Sequence, residues 1–154
     1  MSSLDTLQIS RILKAHPKSS ATFVGCVPSD RIPVLETFPY AAIINTDPAK
    51  YSGQHWVAVY VNSPHSVEYF DSYGELPNKN ICSFLDNFSY VRRSTLALQR
   101  LDTNSCGHYC IYFIMKRCAG RSVEWILGRL KGIRDRDKYV VEYVCRIISL
   151  CSRF

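Results

Sequence analysis

Along the first fifteen residues the apolar positions recur at helical spacing. Leu4, Leu7, Ile12 and Leu13 fall on roughly one face, Ser3 or Asp5 can cap the start, and Pro17 ends the run, which predicts a helix over 4–15. Between Pro17 and Pro39 four prolines and scattered polar residues break every period, so a loop with short extended pieces, VGCV among them, is predicted. YAAIINT (40–46) and HWVAVYV (55–61) predict two strands separated by the turn formers of DPAKYSGQ. SVEYFD (66–71) follows after only NSPH, and that short connection predicts an antiparallel hairpin with the second strand.

The pattern then changes. ICSFLDNF (81–88) predicts a short helix capped by Asn78 or Asn80, and STLALQ (94–99) predicts another strand. From Cys106 to Ala119 the chain is apolar for long enough to form a buried helix, with Asn104 and Ser105 as N-cap residues and Gly120 as the stop. SVEWILGRLKG (122–132) and DKYVVEYVCRIISLC (137–151) predict two more helices with mixed faces. This order of elements predicts an α+β fold, a small mixed β-sheet flanked by helices.

Composition narrows the classes. At 154 residues with 47% hydrophobic content the chain can fill one core, so one domain over 1–154 is expected. No window reaches the ~18 uninterrupted apolar residues of a membrane span. MSSLDTLQISRILKAH is interrupted by Asp5, Arg11 and Lys14 and does not read as a secretory signal, so an intracellular setting is expected. The seven cysteines are odd in number and irregularly spaced, which favours reduced thiols over a disulfide framework. Cys106, His108 and Cys110 lack both a common helix face and a second ligand pair, so no metal site is expected. A net charge of +6 would let the protein associate with polyanions, but no aromatic-interleaved motif accompanies the charge, and a solvated basic face is the plainer reading.

The chemistry gathers around QRLDTNSCGHYC (99–110). A cysteine at a helix start has its thiolate favoured by unpaired backbone N–H groups, and Gly107 beside it would let a substrate backbone approach. Cys106 is therefore a candidate nucleophile, with a small buried core thiol as the alternative. His108 shares its helix and would point away; His16 and His65 lie at a helix end and in a turn. His55, which begins an apolar strand and is followed by Trp56, is the candidate base, although a histidine at a strand start taken alone is more often structural. Asp71 ends the strand paired with it and so can lie beside His55 and orient it, although a turn role in DSYG is locally the stronger reading; Glu68 points to the opposite face. Gln99 can donate its amide to an oxyanion, or be a plain polar residue at a strand end.

GQHWVAVYV, then YFDSYG, then LQ and NSCGHYC resemble the adenovirus endopeptidase (adenain) family and its wider clan of SUMO- and ubiquitin-like-protein proteases. IINTDPAKYSGQHW, FVGCVPSDRIP and the seven-residue step from Gln99 to Cys106 resemble most nearly the adenain-like enzymes of Polinton/Maverick transposons and related viruses. The resemblance covers about residues 23–120 and implies His55 as general base, Asp71 as its orienter, Gln99 as oxyanion donor and Cys106 as nucleophile. Adenain usually carries glutamate where Asp71 stands, whereas the SUMO-protease branch carries aspartate. The chain is also shorter than adenain between acid and nucleophile.

What the resemblance implies is a monomeric cysteine endopeptidase that matures capsid precursors in the host nucleus or the virion. It would need no metal, with DNA or a viral peptide as activator. Two alternatives stay open: an isopeptidase acting on ubiquitin or SUMO conjugates, and a non-catalytic module that binds DNA or capsid.

Overall fold

The computed structural model describes residues 3–47 and 55–151, and the loop predicted over DPAKYSGQ lies largely outside them. Its centre is a five-stranded sheet in sequential order: β1 (Phe23–Pro28), β2 (Tyr40–Asn45), β3 (Trp56–Ser63), β4 (Ser66–Phe70) and β5 (Tyr90–Arg93). β1 runs parallel to β2 and β5 parallel to β4, while β3 runs antiparallel to both β2 and β4, so the sheet is mixed, as predicted. β2 and β3 are buried on both faces, which is why they read as nearly continuous apolar runs.

One face of the sheet carries Ala41, Ile43, Ala58, Tyr60 and Phe70 against the helices α1 (Thr6–Ala15), α3 (Cys106–Cys118), α4 (Val123–Lys131) and α5 (Arg136–Cys151). The other carries Ala42, Ile44, Val57, Val59 and Val67 against α2 (Lys79–Leu85) and the loop residues Ile32 and Phe38. α3 is the central helix. Every residue from Cys106 to Met115 is buried, as expected of a helix apolar on all sides, and Phe113 stacks on Phe70 of β4 with ring centroids 4.7 Å apart. Among the described residues no helix is long and apolar enough to cross a membrane.

Several local expectations need correcting. The VGCV stretch belongs to a full edge strand, because its backbone pairs along β2 despite the prolines around it. STLALQ is not a strand: Leu98 is buried, but the N–H groups of Leu98 and Gln99 both donate to the Ser72 carbonyl, at 2.8 and 3.0 Å, instead of entering a ladder. The strand lies just before it, in the exposed run Tyr90–Arg93. α1 is capped by Asp5 in a capping box with Gln8, and its buried face is Ile9, Ile12 and Leu13; Leu7 is 72% exposed. α2 is capped by Asn78, not Asn80.

Candidate active site

The β3–β4 register sets the geometry. Ala58 pairs with Phe70, and carrying that antiparallel register past the ladder puts His55 opposite Tyr73 and diagonal to Asp71, on one face. His55 Nε2 donates to Asp71 Oδ1 at 2.8 Å, since an ionised carboxylate can only accept. The backbone carbonyl of His55 accepts the Thr46 N–H at 3.0 Å, which ties the residue to β2, and the Tyr73 ring stacks on the imidazole with centroids 4.8 Å apart.

Asp71 is buried and does two jobs that sequence alone left as alternatives. Oδ1 also accepts the Tyr73 N–H at 2.9 Å, and its carbonyl accepts the Gly74 N–H at 2.9 Å, so it forms the turn while holding the histidine. Gly74 has φ +68°, and a Cβ there would lie 2.7 Å from the Leu96 backbone; only glycine lets the 94–98 segment pass so close to this turn.

Cys106 begins α3 and is 7% exposed, on the wall of a cleft of about 560 Å³ that also presents His55, Tyr73 and Gln99. Ser105 occupies the N-cap position, but its hydroxyl donates to Asp137 at 3.2 Å and no side chain caps the first turn. The Cys106 thiol lies near enough to the His55 imidazole to favour its charged form. Because Nε2 is committed to Asp71, Nδ1 is the ring nitrogen left for Cys106. Burial works against a charged imidazole, but the hydrogen bond to Asp71 and the negative charge of Asp71 and Cys106 outweigh it and push His55 up to about 9.

Among the described residues the other thiols and histidines lack this setting. Burial pushes Cys26 up to about 11 and raises Cys110 well above the usual thiol range. His108, on the same helix as Cys106, is buried in the core, and desolvation pushes it down to about 4. His16 ends α1, and His65 is exposed in the β3–β4 turn.

Gln99 is buried beside the cleft. Ser72 Oγ donates to its Oε1 at 2.6 Å, which fixes the amide so that Nε2 faces Thr103, donating to the backbone carbonyl at 3.1 Å and to Oγ1 at 3.3 Å. Ser72, Tyr73 and Asp137 went unremarked as site residues. Ser72 and Tyr73 directly follow Asp71, and the hairpin register could have flagged them; nothing local marks Asp137. The expected role of Gly107 also changes. A Cβ there would meet Ile9 Cδ1 at 3.2 Å and Leu4 Cβ and Trp56 Cδ1 at 3.6 Å, so the missing side chain makes room for α1 rather than for a substrate.

The basic surface is more structured than the sequence suggests. Lys116 lies 5.0–5.8 Å from the rings of Tyr112, Trp125 and Tyr143, Arg121 lies over Trp125, and Arg129 over Tyr139. These aromatics come from three helices, so their interleaving with the cations exists only in the folded chain. Arg117 is committed elsewhere: it donates to Glu68 at 2.6 and 3.1 Å and lies over Tyr60.

No family model matches the chain. It is 28% identical over 114 residues, 65% of its length, to proteins named SUMO-1 cysteine protease in a tick isolate from South Africa and a warthog isolate from Namibia of African swine fever virus. The same match is made to the protein named cysteine protease in the Vero-adapted Badajoz strain. The chain spans about two fifths, 41%, of the length of these curated relatives. Among solved structures, the African swine fever virus protease superposes with a TM-score of 0.67 at 19% identity, covering 90% of this chain and 65% of that one. The central domain of an uncharacterized Legionella pneumophila protein superposes with a TM-score of 0.60 at 13% identity, covering all of both chains. The fold is thus the α+β architecture of the viral protease, and the sequence likeness supports the clan of SUMO- and ubiquitin-like-protein cysteine proteases.

Proposed function

We propose that the chain is a cysteine endopeptidase in which Cys106 is the nucleophile, His55 the general base and acid, Asp71 the residue that orients His55, and Gln99 an oxyanion donor. The observation that carries this reading is the hydrogen bond of His55 to Asp71 beside Cys106, with His55 and Cys106 lining one cleft at the start of a buried helix. An imidazole raised to about 9 keeps its proton at neutral pH and sets a positive charge beside Cys106.

The thiolate attacks the peptide carbonyl, and the electron pair moves to the carbonyl oxygen. The Cys106 N–H and the Gln99 amide, whose Nε2 donates to the Thr103 oxygens in the structure, stabilise that oxyanion. As the tetrahedral intermediate collapses, His55 gives its proton to the leaving amine and a thioester remains. Water, deprotonated by His55, then hydrolyses the thioester and releases the Cys106 thiolate beside the reprotonated imidazole. None of these steps uses a metal.

As substrate we favour precursor proteins, capsid proteins included, of a DNA virus or a Polinton/Maverick-type transposon, cut in the host nucleus or the virion. The names of the swine fever virus relatives support a second substrate class, SUMO or ubiquitin-like conjugates. The cation–aromatic surface supports DNA as an activator, or as the ligand of a chain without turnover.

Incubation of the purified chain with candidate precursors, with and without DNA, tests the reading alongside SUMO- and ubiquitin-vinyl-sulfone probes. Precursor cleavage that Cys106→Ala abolishes supports it. Rapid probe adducts without precursor cleavage move the substrate to conjugates, and steeply salt-dependent DNA binding with no turnover of any substrate overturns it.

A further inference from the structure

The segment from Gln99 to Ser105 carries the proposed oxyanion donor at one end and leads into the proposed nucleophile at the other, yet it has little packing of its own. It forms turns and bends without regular structure, Leu101 is 88% exposed, and the Arg100–Asp102 ion pair faces solvent. A segment without buried apolar side chains is held by its polar tethers. At the Gln99 end the tether is Ser72. Along the rest it is the first turn of α5.

Asp137, in that turn, is buried at 8% exposure. A buried carboxylate is costly unless its oxygens are met by donors, and here they are. Oδ2 accepts the Arg100 N–H at 3.1 Å; Oδ1 accepts the Ser105 hydroxyl at 3.2 Å and the Tyr109 hydroxyl at 2.6 Å. Thr103 Oγ1 lies 3.5 Å from Oδ2 and donates to the Arg100 carbonyl at 3.0 Å. The preceding residue, Arg136, donates from Nε to the Leu98 carbonyl at 3.0 Å. One helix start therefore meets the segment on both sides of Gln99 and again immediately before Cys106. Thr103, on which the Gln99 amide rests, lies between two of these tethers.

We infer that Asp137 is a positioning residue for the oxyanion side of the site: its carboxylate sets the Arg100–Ser105 backbone, and through Thr103 it fixes where the Gln99 amide points. This rests on the proposed protease reading. Asp137 touches neither the candidate nucleophile nor the base, so its influence falls on geometry rather than on the thiol's proton.

The test is a double-mutant cycle of Asp137→Asn with Gln99→Ala, together with backbone hydrogen exchange of the purified chain. Asparagine keeps the shape but offers one acceptor oxygen instead of two. With Asp137→Asn, kcat is expected to fall roughly 30- to 100-fold with KM within about threefold, and alkylation of Cys106 by iodoacetamide to stay within about threefold. In the Gln99→Ala background the same change is expected to cost no more than about threefold. An equal loss in both backgrounds, or a loss confined to KM, overturns the inference.

Should Asp137→Asn not fold, Ser105→Ala and Tyr109→Phe each remove one donor and enter the same cycle. Hydrogen exchange is independent of turnover: residues 100–105 are expected to exchange about tenfold faster in the variant while α3 is unchanged. A wild-type chain that cleaves nothing sinks the protease reading, whereas unchanged exchange at 100–105 sinks the clamp.

Discussion

The two ends of α3 make opposite use of the same backbone polarity. At the N-terminus, where unpaired N–H groups favour a negative charge, the chain places Cys106 and leaves the first turn without a side-chain cap, open to a cleft. At the C-terminus, where carbonyls favour cations, it places Lys116 and Arg117 and surrounds them, one with aromatic rings and one with Glu68 and Tyr60. The cations at the far end are committed, while the groups at the near end carry atoms that can exchange a proton. This separates a reactive end of the helix from a structural one, although charged or polarizable side chains occupy both.

Substitutions at the two ends should therefore fail in different assays. The largest effect is expected at the near end: Cys106→Ala and His55→Ala should each lower kcat by roughly 10⁴-fold or more with little change in melting temperature. Asp71→Asn should follow, with a loss of about 10²- to 10⁴-fold and a telling pH profile. In the wild type kcat/KM should decline as pH rises through about 9, where His55 loses its proton; without the Asp71 charge that limb should move to lower pH. The same shift has a stability sign. His55 is raised from its ordinary 6.5, so its charged form stabilises the fold fully below pH 6.5, and that contribution fades as pH climbs to about 9. Thermal melts across that window should show the fade in the wild type and a weaker one in Asp71→Asn. Gln99→Ala should leave measurable turnover, reduced about 10²- to 10³-fold.

At the far end the order reverses. Glu68→Gln leaves Arg117, 14% exposed, without its ion partner and should cost about 2–4 kcal/mol of stability while kcat of the folded fraction holds. Lys116→Met should do least, about 1 kcal/mol in a denaturant titration, with turnover in the absence of DNA unchanged. A large kinetic loss from Glu68→Gln, or a large melting shift from Cys106→Ala, would erase the distinction between the ends.

How much of this could be read beforehand depended on whether a contact was local to one pairing. His55 and Asp71 were legible because a four-residue connection fixes an antiparallel hairpin, and the start of one strand then meets the end of the next. Cys106 was legible from an N-cap residue followed by an apolar run of helical length. STLALQ misled because alternating leucines signal burial, not pairing: Leu98 is buried, but its backbone bonds to the Ser72 carbonyl. Leu7 fitted the helical stripe on paper, yet the rotation of α1 against α3 selects Ile9 and turns Leu7 outward. Asp137 was unreadable. Within RDRDK it looks like one charge among many, and only the docking of α5 reveals that four of its neighbours come from another segment or helix.

The order in which the chain is made gives the site a further property. His55 and Asp71 lie sixteen residues apart, but Cys106 follows His55 by fifty-one residues, and Asp137 comes thirty-one later still. Contacts over such separations pay their closure entropy late, so a ribosome-bound chain that has finished its hairpin holds only a paired imidazole and carboxylate. On the proposed protease reading, cutting ability is one of the last attributes the molecule acquires.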